Sequence, residues 1–93
     1  MMVSFRIPGP LRSMTGGRGH VEVETSGGTL RDALEALFAA YPVIRDRVFT
    51  EQGEIREHVN VFVGNTAARW ADGLATPVAD GVEISIIPAI SGG

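Results

Sequence analysis

The chain has no cysteine, and all eight of its basic residues (Arg6, Arg12, Arg18, Arg31, Arg45, Arg47, Arg56 and Arg69) are arginine, so it has no lysine either. Without cysteine there is no disulfide framework, thiolate nucleophile or cysteine-zinc site. Without lysine there is no ε-amine to form a Schiff base or to be extended into lysine-linked polymers. Base-composition bias accounts for an all-arginine complement. No apolar run is long enough to cross a bilayer, and Met1-Met2-Val3-Ser4-Phe5-Arg6 lacks a signal-peptide pattern. Cytoplasmic location is therefore expected. With a formal net charge of −3 and no basic run, nucleic acid and anionic membranes are not expected partners.

Catalytic constellations are missing as well. Ser13, Ser26 and Ser91 have no motif around them, and the carboxylates show no spacing suited to acid-base work. His20 and His58 fall on different strands and are read as ordinary sheet residues, so no metal site is expected. Gly16-Gly17-Arg18-Gly19 matches neither a P-loop nor a dinucleotide fingerprint and reads as a flexible hairpin loop.

What is present is one small domain of 93 residues, 44% of them hydrophobic. Val3, Phe5 and Ile7 alternate with polar residues, as do Val21 and Val23, and the two runs read as a hairpin with a long loop. Thr29 is placed to N-cap a helix, with Asp32 supporting the first turn. Leu30, Leu34, Leu37, Phe38 and Tyr41 form its apolar stripe, Arg31 and Glu35 an exposed i,i+4 pair, and Pro42 its end. Residues 43–57 read as a helical turn and a loop. A strand from 58 to 63 ends at Gly64-Asn65, residues 67–70 read as a short edge strand with Trp70 in a satellite core, and a last strand over 82–87 closes at Pro88.

The order β-β-α-β-β-β, with one helix to cover one face of a small mixed sheet, predicts an α+β β-grasp (ubiquitin-like) fold of four to five strands. The domain is expected over 1–88, with a flexible tail over 89–93. If Val59, Val61 and Val63 face the helix, Asn60 and Phe62 point outward; if Val82, Ile84 and Ile86 face it, Ser85 and Ile87 point outward as well. Phe62 and Ile87 then form an exposed apolar docking patch.

The tail ends in Gly92-Gly93. Such a pair arises by chance in roughly one chain in 200, so it needs support from the residues upstream. Glycine lacks a Cβ, so the pair can thread a narrow active site and present its carboxyl carbon to another enzyme.

That support comes from Gly73-Leu74-Ala75-Thr76-Pro77-Val78-Ala79-Asp80-Gly81 followed by Ile84-Ser85-Ile86-Ile87-Pro88-Ala89-Ile90-Ser91-Gly92-Gly93, with Leu11-Arg12 and Val59-Asn60-Val61 as further matches. These residues resemble the MoaD/ThiS sulfur-carrier family, most closely its carriers in bacterial cysteine biosynthesis. Val82 departs from the acidic residue that many members have after Asp-Gly, in a turn. The resemblance implies a carrier and protein substrate, not an enzyme, with no bound cofactor. The Gly93 carboxylate, ionised at pH 7 and a poor electrophile, is adenylated with ATP and Mg²⁺ by an E1-like adenylyltransferase/sulfurtransferase. A sulfur donor displaces AMP to leave a thiocarboxylate. A cysteine synthase then takes the sulfur and a metalloprotease releases the product; in the molybdopterin branch, the molybdopterin synthase large subunit is the partner. Pro88, Ala89, Ile90 and Ser91 are expected to contact these partners, with Pro88 stiffening the base of a tail that reaches at most about 20 Å. A ubiquitin-like modifier and a plain β-grasp binding module remain the alternatives.

Overall fold

In β1 (Met2–Arg6) Val3 and Phe5 are buried between exposed Met2 and Arg6. In β2 (His20–Glu24) Val21 and Val23 are buried between His20, Glu22 and Glu24. The strands pair antiparallel with Val3 opposite Val23 and Phe5 opposite Val21. The two-residue period thus puts all four apolar side chains on one face. This is a computed structural model that describes residues 1–88; Ala89, Ile90, Ser91, Gly92 and Gly93, assigned above to the tail, lie outside the described residues.

The first part of the β1–β2 connection is wound, ahead of Gly16-Gly17-Arg18-Gly19, the stretch read as a flexible hairpin loop. Gly9–Thr15 form a 3₁₀ helix that buries Leu11 and Thr15, and it ends where Gly16 takes a φ of 66°. Thr15 Oγ1 lies 3.1 Å from the Arg12 carbonyl and 2.8 Å from that of Arg18, so a buried hydroxyl fixes the turn that glycine only permits.

Helix α1 (Leu30–Ala40) starts as the sequence predicts, with a capping box: Thr29 Oγ1 accepts from the Asp32 amide and the Asp32 carboxylate accepts from the Thr29 amide. Leu30, Ala33, Leu34, Leu37 and Phe38 are buried. Tyr41 becomes the half-buried C-cap and Pro42 begins a separate 3₁₀ turn, Pro42–Ile44. Arg31 does not pair with Glu35. Its guanidinium lies 6.0 Å from the centre of the Phe49 ring and donates to the Gly53 carbonyl. Packing on an aromatic and a fixed carbonyl replaces a solvated ion pair of small value.

The charged stretch after α1 is more ordered than its composition suggests. α2 (Arg45–Val48) and the preceding turn bury Ile44 and Val48, and Phe49 meets Phe38 edge to face with ring centres 4.9 Å apart. Next come β3 (Val59–Val63), β4 (Thr66–Ala67), 3₁₀ turns at Ala68–Trp70 and Gly73–Ala75, and β5 (Glu83–Pro88). The expected edge strand is only two residues long. The chain leaves the sheet at Ala68, so the buried residue is Ala68 and Trp70 is 82% exposed, not in a satellite core.

The five-stranded sheet has the order β2-β1-β5-β3-β4. β5 lies between β1, to which it is parallel, and β3, to which it is antiparallel. Val3, Phe5, Val59, Val61, Ile84 and Ile86 turn their side chains into one core with α1; Val63 and Val82 are half-buried against it.

A Cβ added at Gly27 would overlap the Asp32 carboxylate, whereas one at Gly28 would meet nothing within 4 Å. Gly27→Ala must push Asp32 out of the capping box and is expected to cost about 1 kcal/mol, the usual cost of a lost cap, while Gly28→Ala stays within about 0.5 kcal/mol of the parent. Urea denaturation of the pair checks this.

Candidate functional site

The register of β3 against β5 builds the outer face. Phe62 stands opposite Ser85 and Asn60 opposite Ile87, so Phe62 and Ile87 are diagonal neighbours on the face turned away from α1, within reach of one another. Ile87 is 47% exposed and Phe62 is half-buried. Pro88, half-buried opposite Val59, is the last residue of β5. Of the residues expected to contact partners, the fold thus brings together Phe62 and Ile87 on the outer face; Pro88 follows Ile87 in β5 but pairs with the core-facing Val59 and so belongs to the other face. Ala89, Ile90, Ser91, Gly92 and Gly93 lie outside the described residues.

Charge surrounds this apolar diagonal. Arg6 on β1, His20, Glu22 and Glu24 on β2 beyond it, and Glu83 at the start of β5 are exposed, and His20 Nε2 lies 3.2 Å from Glu83 Oε2. Both side chains are about half exposed, so solvent screens the pair and it adds little to stability. His58 is exposed just before β3. Among the described residues no three His, Cys, Asp or Glu side chains cluster to hold a metal, and every buried side-chain nitrogen or oxygen has a hydrogen-bond partner. This face therefore offers two apolar side chains beside a group of charged ones.

Sequence reasoning missed Thr76. Its hydroxyl is buried, donates to the Gly73 carbonyl at 2.6 Å and accepts from the Asp72 amide at 3.1 Å. Its carbonyl accepts from the Leu30 amide at 2.8 Å, and the Val78 amide donates to Gly28 O at 2.9 Å. Gly73 to Pro77 is therefore a strap that fills one of the open positions at the start of α1. The signal was the threonine of Gly-Leu-Ala-Thr, visible as part of a motif but without a physical role assigned to it.

A mixed sheet with a parallel β1–β5 pair at its centre and one main helix across one face defines the β-grasp, ubiquitin-like class. The sequence profile of the ThiS family matches residues 5–93, and the chain belongs to that family. It is 38% identical over 95 residues to the sulfur carrier protein CysO of Mycobacterium tuberculosis, covering 100% of both chains. It is 37% identical to small archaeal modifier protein 1 of Haloferax volcanii, covering 98% of this chain and 100% of that one. Among solved structures, the Haloferax volcanii modifier superposes with a TM-score of 0.86 over 100% of both chains at 33% identity. CysO of Amycolatopsis orientalis, solved in a complex with BexX, superposes with a TM-score of 0.86 at 32% identity, covering 98% of this chain and 99% of that one.

The two faces of β5 differ in what a substitution costs. Ile86→Ala, at a side chain only 2% exposed, is expected to cost about 2–5 kcal/mol. Ile87→Ser should stay within about 0.5 kcal/mol of the parent, because the side chain already meets water. Thermal and urea unfolding of both variants test the division.

Proposed function

We propose that this protein is a cytoplasmic sulfur carrier whose reactive group is the carboxyl of Gly93. The observation that carries this reading is that the family match runs without interruption to Gly93, alongside full-length similarity to a protein named as a sulfur carrier. The outer-face pair supports it, since Phe62 and Ile87 lie beside and on the strand that leads toward Gly93, where a partner would grip the domain while receiving the segment that follows.

The chemistry is carried by the main chain. A carboxylate oxygen of Gly93 attacks the α-phosphate of ATP, with Mg²⁺, in an E1-like adenylyltransferase, and pyrophosphate leaves. A sulfur nucleophile then attacks the acyl carbon, AMP departs, and a thiocarboxylate remains. Gly92 and Gly93 are required because any side chain at these positions would meet the walls of the active site. Ile90 would seat in the entry channel. The thiocarboxylate sulfur then displaces the activating group from the β-carbon of an activated serine derivative on a cysteine synthase, that group leaving as its anion. A metalloprotease hydrolyses the C-terminal adduct to release cysteine and return the Gly93 carboxylate. If a molybdopterin synthase large subunit is the acceptor, the tail chemistry is the same.

The second reading is a ubiquitin-like modifier, favoured by the 37% identity to small archaeal modifier protein 1. It requires the activated Gly93 to acylate a lysine of another protein, and would appear as covalent high-mass conjugates in the native host.

Intact mass spectrometry after incubation with ATP, a matching activating enzyme and sulfide should show one oxygen replaced by sulfur, mapped to Gly93. Gly93→Ala and deletion of Gly93 should abolish this without unfolding the domain. Ile87→Asp should lower kcat/KM for thiocarboxylation about tenfold, a typical loss at an interface anchor. An unchanged mass with a demonstrably active enzyme would remove the carrier reading.

A further inference from the structure

The opposite side of β3 carries a second feature that the carrier chemistry does not use. A cleft of about 680 Å³ opens between β3, the 54–57 loop and the Gly73–Ala75 turn. Val59, Val61, Ala68 and Leu74 line it, with Ile55 at one end. Val59 and Val61 point to the face opposite Phe62, so the cleft and the outer patch lie on different faces of the sheet.

Arg31, Arg56 and Arg69 also line the cleft. Each guanidinium is held by a backbone carbonyl: Arg31 Nη2 by Gly53 O at 3.4 Å, Arg56 Nε by Asp46 O at 2.8 Å, and Arg69 Nη2 by Glu57 O at 3.4 Å. The ion pairs found among the described residues are His20–Glu83 and Arg45–Asp46, so no carboxylate of a described residue lies within 4 Å of these three. A guanidinium has five N–H donors, and each of these uses one on a carbonyl. On a chain of net charge −3, three cations oriented by carbonyls therefore stand along the cleft, each with one described protein acceptor.

We propose that this cleft is a docking site for a short acidic segment of a partner protein, in which Asp or Glu side chains alternate with apolar ones. The carboxylates take the arginines, by the bidentate geometry guanidinium favours, and the apolar side chains cover the half-buried Ile55 and Leu74. Glu54 and Glu57 line the cleft too. They oppose a compact, highly charged anion such as a polyphosphate more than single carboxylates spaced along a peptide. The site would let a partner hold the domain from the helix side while the outer face is engaged elsewhere. This inference goes beyond the carrier reading and does not depend on Gly93 chemistry.

The test is an NMR titration of the ¹⁵N-labelled full chain with the peptide acetyl-Glu-Leu-Asp-Leu-Glu-amide. Amide shifts are expected at Ile55, Arg56, Ala68 and Leu74 and not in β2. Arg56→Gln and Arg69→Gln should each weaken binding about threefold, as expected for one exposed charge pair, while retaining the parent's dispersed spectrum. Binding by the unmodified chain should also weaken as NaCl rises from about 0.05 to about 0.5 M, because screening shortens the reach of the charges; this reads the charge contribution without any substitution. The proposal is overturned if these amides do not shift, if acetyl-Lys-Leu-Lys-Leu-Lys-amide binds equally well, or if inorganic phosphate alone produces the same shifts at the same concentration.

Discussion

Strand β5 is the constraint on which the rest depends. Within the sheet, the β1–β2 hairpin and the β3–β4 hairpin meet only through it. Ile84 and Ile86 fill the centre of the core from this strand, and its register against β3 fixes which side chains reach the outer face. A slip of one residue would turn Ile87 inward and Ile86 to solvent. The position of the outer apolar pair is thus set by the packing of the same strand. Its closing contacts are also long-range: Phe5 pairs with Ile84 across almost the whole chain, so the sheet cannot close early in folding.

The helix is held by side chains and backbone from both directions. Thr29 and Asp32 satisfy each other's first-turn groups, Gly27 leaves the space Asp32 occupies, and Thr76 brings a carbonyl to the Leu30 amide. The strap also supplies Leu74 to the arginine-lined cleft. One motif therefore closes the helix start and forms a wall of a surface feature, and neither role could be seen from its residue types alone.

Most of the scaffold was legible because its signals are periodic. Alternation located β1, β2, β3 and β5, the 3.6-residue stripe located α1, and Thr29 with Asp32 marked its start. Phe62 and Ile87 were legible as an outward pair because period two leaves no other direction once their neighbours are buried. Trp70 was misplaced because the two-residue β4 gives no period to extrapolate, and a three-residue turn then sends Ala68 inward. The winding of Gly9–Thr15 was hidden because its stabilising contacts, from Thr15 Oγ1 to two carbonyls, depend on a fold that glycine content cannot reveal. The same holds for Arg31, whose partner Phe49 is distant in sequence.

Because β1 and β5 run parallel, Met2 and Glu83 sit at one end of the pair and Pro88 at the other. The six residues of β5 span about 17–20 Å. A fusion or surface linkage placed ahead of β1 therefore emerges at the far end of the sheet from whatever follows Pro88. With no lysine to offer competing attachment points along the sides, coupling through an amine ahead of β1 would orient every molecule the same way, with the Pro88 end facing outward.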